Sequence, residues 1–176
     1  VSVTYTVTDE NSLKITYEGI SDKDTFVSMT NHSYFNLNGE NSDSILEHEL
    51  WIDADAYTPA NEEMIATGEI LDVTGTAMDF RSPKKIGRDI EAEELPLKIG
   101  SGYDHNWVLD RQTPDQVELA ASVYEPASGR FMEVYTDQPA LQFYGGNFFD
   151  GTVVGKYGRL LKYRESIALE TQKYPD

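Results

Sequence analysis

The chain has 176 residues, 39% hydrophobic and 11% aromatic, which suits one globular domain with a sizeable core and excludes a disordered chain. Its net charge is −17, with eleven acidic residues and no lysine or arginine between Thr25 and Phe80, a balance that serves solubility and opposes nucleic-acid or phosphorylated partners. Cysteine is absent, so disulfides and thiolate metal sites are excluded and a reducing, cytoplasmic setting fits, while no apolar run long enough for a membrane span and no signal-peptide pattern occurs.

In chain order, "VSVTYTVT" alternates strictly, with Val1, Val3, Tyr5 and Val7 on one face. That pattern predicts a half-buried strand, and "LKITYEG" predicts its hairpin partner with Leu13, Ile15 and Tyr17 inward. Further strands are expected at 25–36, 49–57, 117–124, 131–137, 140–144 and 165–171, with "EPASGR" as a hairpin loop. Helix is expected only in "SPKKIGRDI" at 82–90, as little as one turn. The stretch from Asn38 to Asn106 is rich in turn signals and reads as loops and short strands projecting from a sheet. Strands without alternating helices predict an all-β antiparallel sandwich. Residues 1–176 read as part of a single domain, with both ends resembling cuts through strands.

Candidate chemistry sits on polar strand faces. In "ESIALETQKYPD", Glu170 shares a face with the small Ser166 and Ala168, which leaves room for a ligand; an exposed strand glutamate would look the same. In "DQPALQFYGGNFFDG", Gln142 and Tyr144 share a face, an amide beside an aromatic that suits a sugar and also merely ends a strand. "GSGYDHNWVLD" offers Asp104 as an acceptor for two hydroxyls or as a turn cap. His105 is adjacent to Asp104 and so points to the opposite face, which favours Asp104 for a shared pocket. His32 in "TNHSYFNLNG" is either a packed histidine or a proton carrier near neutral pH. His32, His48 and His105 lack metal-ligand spacing, and no nucleophile elbow or phosphate loop is present, which leaves acid–base chemistry by a histidine and a carboxylate.

In order, "TNHSYFNLNG", "GYDHNWVLD", "LQFYGGNFFDG" and "LETQKYPD" resemble the galactose mutarotases, or aldose 1-epimerases, and the resemblance runs over essentially the whole chain. It implies a large, many-stranded β-sandwich of the mutarotase type, here incomplete, and a cofactor-free isomerase of a free aldohexose such as galactose or glucose. It further implies His32 as general acid, Glu170 as general base, and Asp104 and Gln142 as ligands of sugar hydroxyls. The family's arginine and further histidine from a preceding segment are not in this sequence, so the isolated chain is expected to turn over poorly. Rival readings are a non-catalytic carbohydrate-binding domain of the same fold and a glycoside hydrolase or its accessory sandwich. A hydrolase needs two flanking carboxyls, and a related sugar-phosphate epimerase would need clustered arginines.

Overall fold

A computed structural model describes residues 1–40, 42 and 44–175. Of the turn-rich "NLNGENSDS" stretch, positions 41 and 43 lie outside the described residues, as does position 176 of "LETQKYPD". Alternating segments pair into three antiparallel sheets. Strands β1 (Ser2–Val7) and β2 (Leu13–Glu18) form a separate hairpin in the expected register, from Ser2↔Glu18 to Val7↔Leu13. A four-stranded sheet joins β4 (Glu49–Ile52), β7 (Lys84–Lys85), β9 (Glu118–Glu125) and β10 (Arg130–Thr136) in the order β10-β9-β4-β7. The six-stranded sheet contains β3 (Tyr34–Phe35), β5 (Ala56–Thr58), β6 (Leu71–Asp72), β8 (Asp104–Val108), β11 (Ala140–Tyr144) and β12 (Ile167–Gln172). Its order is β3-β12-β11-β8-β5-β6.

The two larger sheets share one core. Leu50, Ile52, Ala121 and Val123 of the four-stranded sheet cluster with Trp107, Leu141, Phe143, Ile167 and Leu169 of the six-stranded sheet. Phe80 packs edge-on against Tyr103, Trp107 and Phe143, with ring centroids 5.0, 5.7 and 5.9 Å away. Edge-to-face packing suits the aromatic quadrupole and adds to the burial of apolar area. The Trp107 indole N–H donates to the Met78 carbonyl at 3.0 Å, so this large ring enters the core without stranding its donor. The all-β antiparallel sandwich expected from the strand pattern is therefore the observed architecture.

Several local expectations change. The β1–β2 hairpin forms, yet Val1, Val3, Tyr5, Val7 and Leu13 are exposed, because no described sheet packs on their face and the core takes no residue from it. Alternation sets which side chains share a face, while burial needs a second layer. Of the strand expected at 25–36 only Tyr34–Phe35 pairs, since residues 25–33 have no ladder partner among the described residues. The strand expected at 49–57 breaks at Asp53–Asp55, and β4 and β5 enter different sheets. The 82–90 segment contributes β7 and a single 3₁₀ turn at Ile86–Arg88. The α-helix α1 lies instead at Leu95–Ile99, where Pro96 suits a first turn. Replacing Trp107 by Ala is expected to cost about 3–5 kcal/mol, read as a lowered urea midpoint with little change in m.

Candidate functional site

Strict alternation along β8, β11 and β12 gives the six-stranded sheet an apolar inner face and a polar outer face. Glu170 pairs across the sheet with Gln142, Gln142 with Asn106, and Asn106 with Thr58, a continuous row of polar side chains. The neighbouring row runs Tyr34, Ala168, Tyr144 and Asp104. Ala168 is the small residue of that row and is itself fully buried between the two tyrosines. Gln142 and Asp104 are diagonal neighbours, and the Gln142 amide Nε2 donates to Asp104 Oδ1 at 2.8 Å. His32 arrives from the irregular segment before β3 and places Nε2 3.2 Å from Glu170 Oε1. All four residues singled out in the sequence, His32, Asp104, Gln142 and Glu170, thus meet on one face. His32 and Glu170 are in direct contact rather than across a cleft.

The environment separates the partners. The Glu170 side chain is 11% exposed and that of His32 45%. Burial pushes the Glu170 carboxyl above its ordinary pKa; the His32 imidazole opposes this and the Asp104 charge adds to it. Burial likewise raises Asp104, against the Gln142 hydrogen bond and His32, which favour its ionised form. His105, on the opposite face, serves Asp104 from behind. Its Nδ1 accepts the Asp104 amide N–H at 3.0 Å, and Nε2 lies 3.1 Å from the Pro96 carbonyl. Nε2 therefore carries the proton, and burial lowers the His105 pKa to about 4, keeping the ring neutral. The bend before Asp104 requires Gly102, with φ at +132°, where a Cβ would come within 2.6 Å of Asn147 Oδ1.

Sequence reasoning passed over Tyr34, whose ring lies 4.8 Å from His32, 6.4 Å from Tyr144 and 5.5 Å from Phe149. Its hydroxyl is held above the ordinary phenol pKa by burial and by the nearby Glu170 and Asp104 charges. The signal was present: Tyr34 lies two residues after His32 and shares its side in an extended chain. Asn106 was also missed, but its amide is engaged by Thr58 and Gln172 at 3.2 and 3.4 Å and braces the row. Cavities of about 440 and 430 Å³ lie away from this face, lined by residues such as Asp79, Arg88 and Glu94 or Glu47, Pro83 and Lys85. Among the described residues no cluster has the make-up of a metal site.

A carboxyl with a raised folded-state pKa binds its proton more tightly in the folded chain than in the unfolded one. Its favourable contribution is full below the unfolded-state pKa and is lost as pH rises through the folded-state pKa. Glu170→Gln is therefore expected to raise Tm at pH 7, with the gain shrinking towards zero as pH falls through the carboxylate range. Thermal unfolding at several pH values measures this, and an unchanged or lower Tm at pH 7 contradicts it.

The profile of the aldose 1-epimerase family matches residues 1–176. Galactose mutarotase from Sus scrofa is 44% identical over 176 residues, which is 100% of this chain and 49% of that protein. Aldose 1-epimerase from Haemophilus influenzae is 41% identical over 178 residues, covering 100% of this chain and 50% of that protein. Among solved structures, galactose 1-epimerase from Lactobacillus acidophilus superposes with a TM-score of 0.84 at 31% identity, over 98% of this chain and 48% of that one. An aldose epimerase homologue from C. elegans superposes with a TM-score of 0.79 at 34% identity, over 98% and 50%. The chain spans about half the length of the curated relatives it matches. With its fold, its motifs and its whole length in agreement, the chain belongs to the aldose 1-epimerase family.

Proposed function

We propose that the protein carrying this chain is a cytoplasmic aldose 1-epimerase that interconverts the anomers of a free aldohexose, with Glu170 as general base and His32 as general acid. The observation that carries this reading is the His32–Glu170 contact at 3.2 Å, beside the Asp104–Gln142 pair at 2.8 Å. The anomeric hydroxyl and the ring oxygen of a sugar are bonded to the same carbon, so its acid and base must be close neighbours, as these two are. Glu170 removes the anomeric O–H proton, the C1–O1 bond becomes a carbonyl and the C1–O5 bond breaks. The imidazolium of His32 gives its proton to O5, which leaves the open aldehyde. Rotation about C1–C2 presents the other carbonyl face, and the two groups exchange roles as the ring closes. The sugar replaces the direct His32–Glu170 contact, while Asp104 and Gln142 take its outer hydroxyls.

The raised pKa of Glu170 suits a base that must also return its proton. The contact of Glu170 with an imidazole supports isomerisation over glycoside hydrolysis, in which Asp104 would have to serve as the second carboxyl although its Oδ1 is engaged by Gln142. A free sugar fits the surroundings better than a phosphorylated one, because Asp104 and Glu170 give this face acidic side chains. Polarimetry of anomer exchange in the full-length protein tests the assignment. Glu170→Gln and His32→Asn are each expected to lower kcat by about 10²–10⁴-fold. The acid limb of kcat/KM should lie above the ordinary carboxylate value of 4.5 and move to lower pH in Asp104→Asn, which removes a charge that raises Glu170. Anomer exchange that neither catalytic substitution slows rejects the roles given to them.

A further inference from the structure

We propose that His48 is a positioning residue for the acid–base pair: through Leu37 it fixes the strand end from which His32 reaches Glu170. The catalytic consequence rests on the roles proposed for His32 and Glu170, whereas the structural link stands on its own contacts. His48 immediately precedes β4 and is 1% exposed. Its Nε2 accepts the Leu37 amide N–H at 3.0 Å. An imidazole that accepts at Nε2 is neutral and carries its proton on Nδ1. That Nδ1 is buried and has no well-formed hydrogen bond, although the Ile45 carbonyl is close by. A leucine would fill the site without a stranded donor, so packing alone does not account for the imidazole. What a leucine lacks is the acceptor for Leu37. Burial holds the His48 pKa below its ordinary value, against the charge of Glu125, and preserves the lone pair that Leu37 needs.

Leu37 follows closely on the short strand β3, and its side chain packs against the core. β3 has two ladder pairs, Phe35↔Ile167 and Tyr34↔Ala168. Beyond them the chain is pegged at Asn36, whose Nδ2 donates to the Glu165 carbonyl at 3.0 Å, and on both sides of Leu37. The Leu37 carbonyl accepts from Ser128 Oγ at 3.2 Å and Arg130 Nη1 at 2.7 Å, while its N–H goes to His48. Upstream, His32 belongs to a segment with no ladder, steadied by Asn31 through Tyr5 at 3.1 Å and the Ser33 amide at 3.1 Å. His32 is thus located chiefly from its C-terminal side, through β3 and the pegs at 36–37. His48 ties that strand end to the four-stranded sheet: its carbonyl accepts from the Ile86 amide at 2.9 Å and β4 begins at the next residue.

The test compares His48→Leu, which removes the acceptor, with His48→Gln, whose carbonyl oxygen can replace it, in the full-length protein. Hydrogen exchange reads the Leu37 amide and polarimetry reads kcat and KM. In His48→Leu, Leu37 exchange should rise at least tenfold and kcat should fall by about 10–100-fold, the scale of a small misplacement of reacting groups. KM should change less than kcat, and His48→Gln should recover most of both effects. A folded His48→Leu protein with unchanged Leu37 exchange and kcat overturns the proposal, as does a His48→Gln protein no better than His48→Leu. Should His48→Leu fail to fold, ¹⁵N shifts of the wild-type ring decide: a protonated Nε2 overturns the proposal and a protonated Nδ1 with acceptor Nε2 supports it. A wild-type protein that does not speed anomer exchange rejects the catalytic roles of His32 and Glu170 instead, and Leu37 exchange still decides the positioning claim.

Discussion

Gln142 pairs across the sheet with Glu170 on one side and Asn106 on the other, and slipping either ladder by one residue would turn these side chains towards the core. The opposite faces of the same strands carry Trp107, Leu141, Phe143 and Leu169, which make such a slip costly. Each slip would bury amides and carboxylates while exposing large apolar rings, so core packing dictates which residues reach the outer face. The register that builds the core therefore builds the polar row. Polar residues on that row need no favourable packing of their own to be held within hydrogen-bond distance. The Asp104–Gln142 contact is one product of this arrangement, and the neutral His105 behind Asp104 reinforces it from the core side.

A carboxylate held in a sheet beside a small Ala168 and a second carboxyl at Asp104 is kept partly dry, and its ionised form is disfavoured by the same burial that fixes its direction. His32 offsets part of that penalty by contact from the more exposed side. The two residues proposed as acid and base thus meet in one direct contact. The strain at Glu170 belongs to the function assigned to it, since a better satisfied carboxylate would be a weaker base.

The sequence made the sheet faces legible because period two in β8, β11 and β12 leaves no ambiguity about which side chains share a side. That His105 points away from Asp104 follows from that alternation, whereas the gathering of Asp104, Gln142 and Glu170 was expected only from the family resemblance and is seen in the ladders. Alternation failed at β1 and β2, where Val3 and Tyr5 share a face but find no second layer, and at residues 25–33, where β-forming residues find no strand to pair with. It also failed to locate α1, a five-residue helix too short to show a helical period. The break between β4 and β5 carried a signal that the strand expected at 49–57 passed over, because Asp53 and Asp55 are of a type depleted in strands. Tyr34 escaped notice for another reason: exposed aromatics are common on strands, and only its ring contact with His32 sets it apart.

The two residues proposed as base and acid reach the site by different means. Glu170 lies within a strand laddered to β11, whereas His32 lies outside any ladder and depends on short-range pegs further along the chain. A base held by the sheet has its direction set by the fold as a whole. An acid carried on an irregular segment has its position set by a few local bonds, each of which matters more because the others are few. In the mechanism proposed, reversal of roles during ring opening and closure requires His32 to follow an oxygen that moves when the C1–O5 bond breaks. A side chain anchored at one end can make that adjustment, while one fixed in the centre of a sheet cannot. The absence of a ladder at residues 25–33, among the described residues, is compatible with the proposed catalysis if β3 and the Leu37 contacts return His32 to the same place, the role proposed for the His48–Leu37 hydrogen bond.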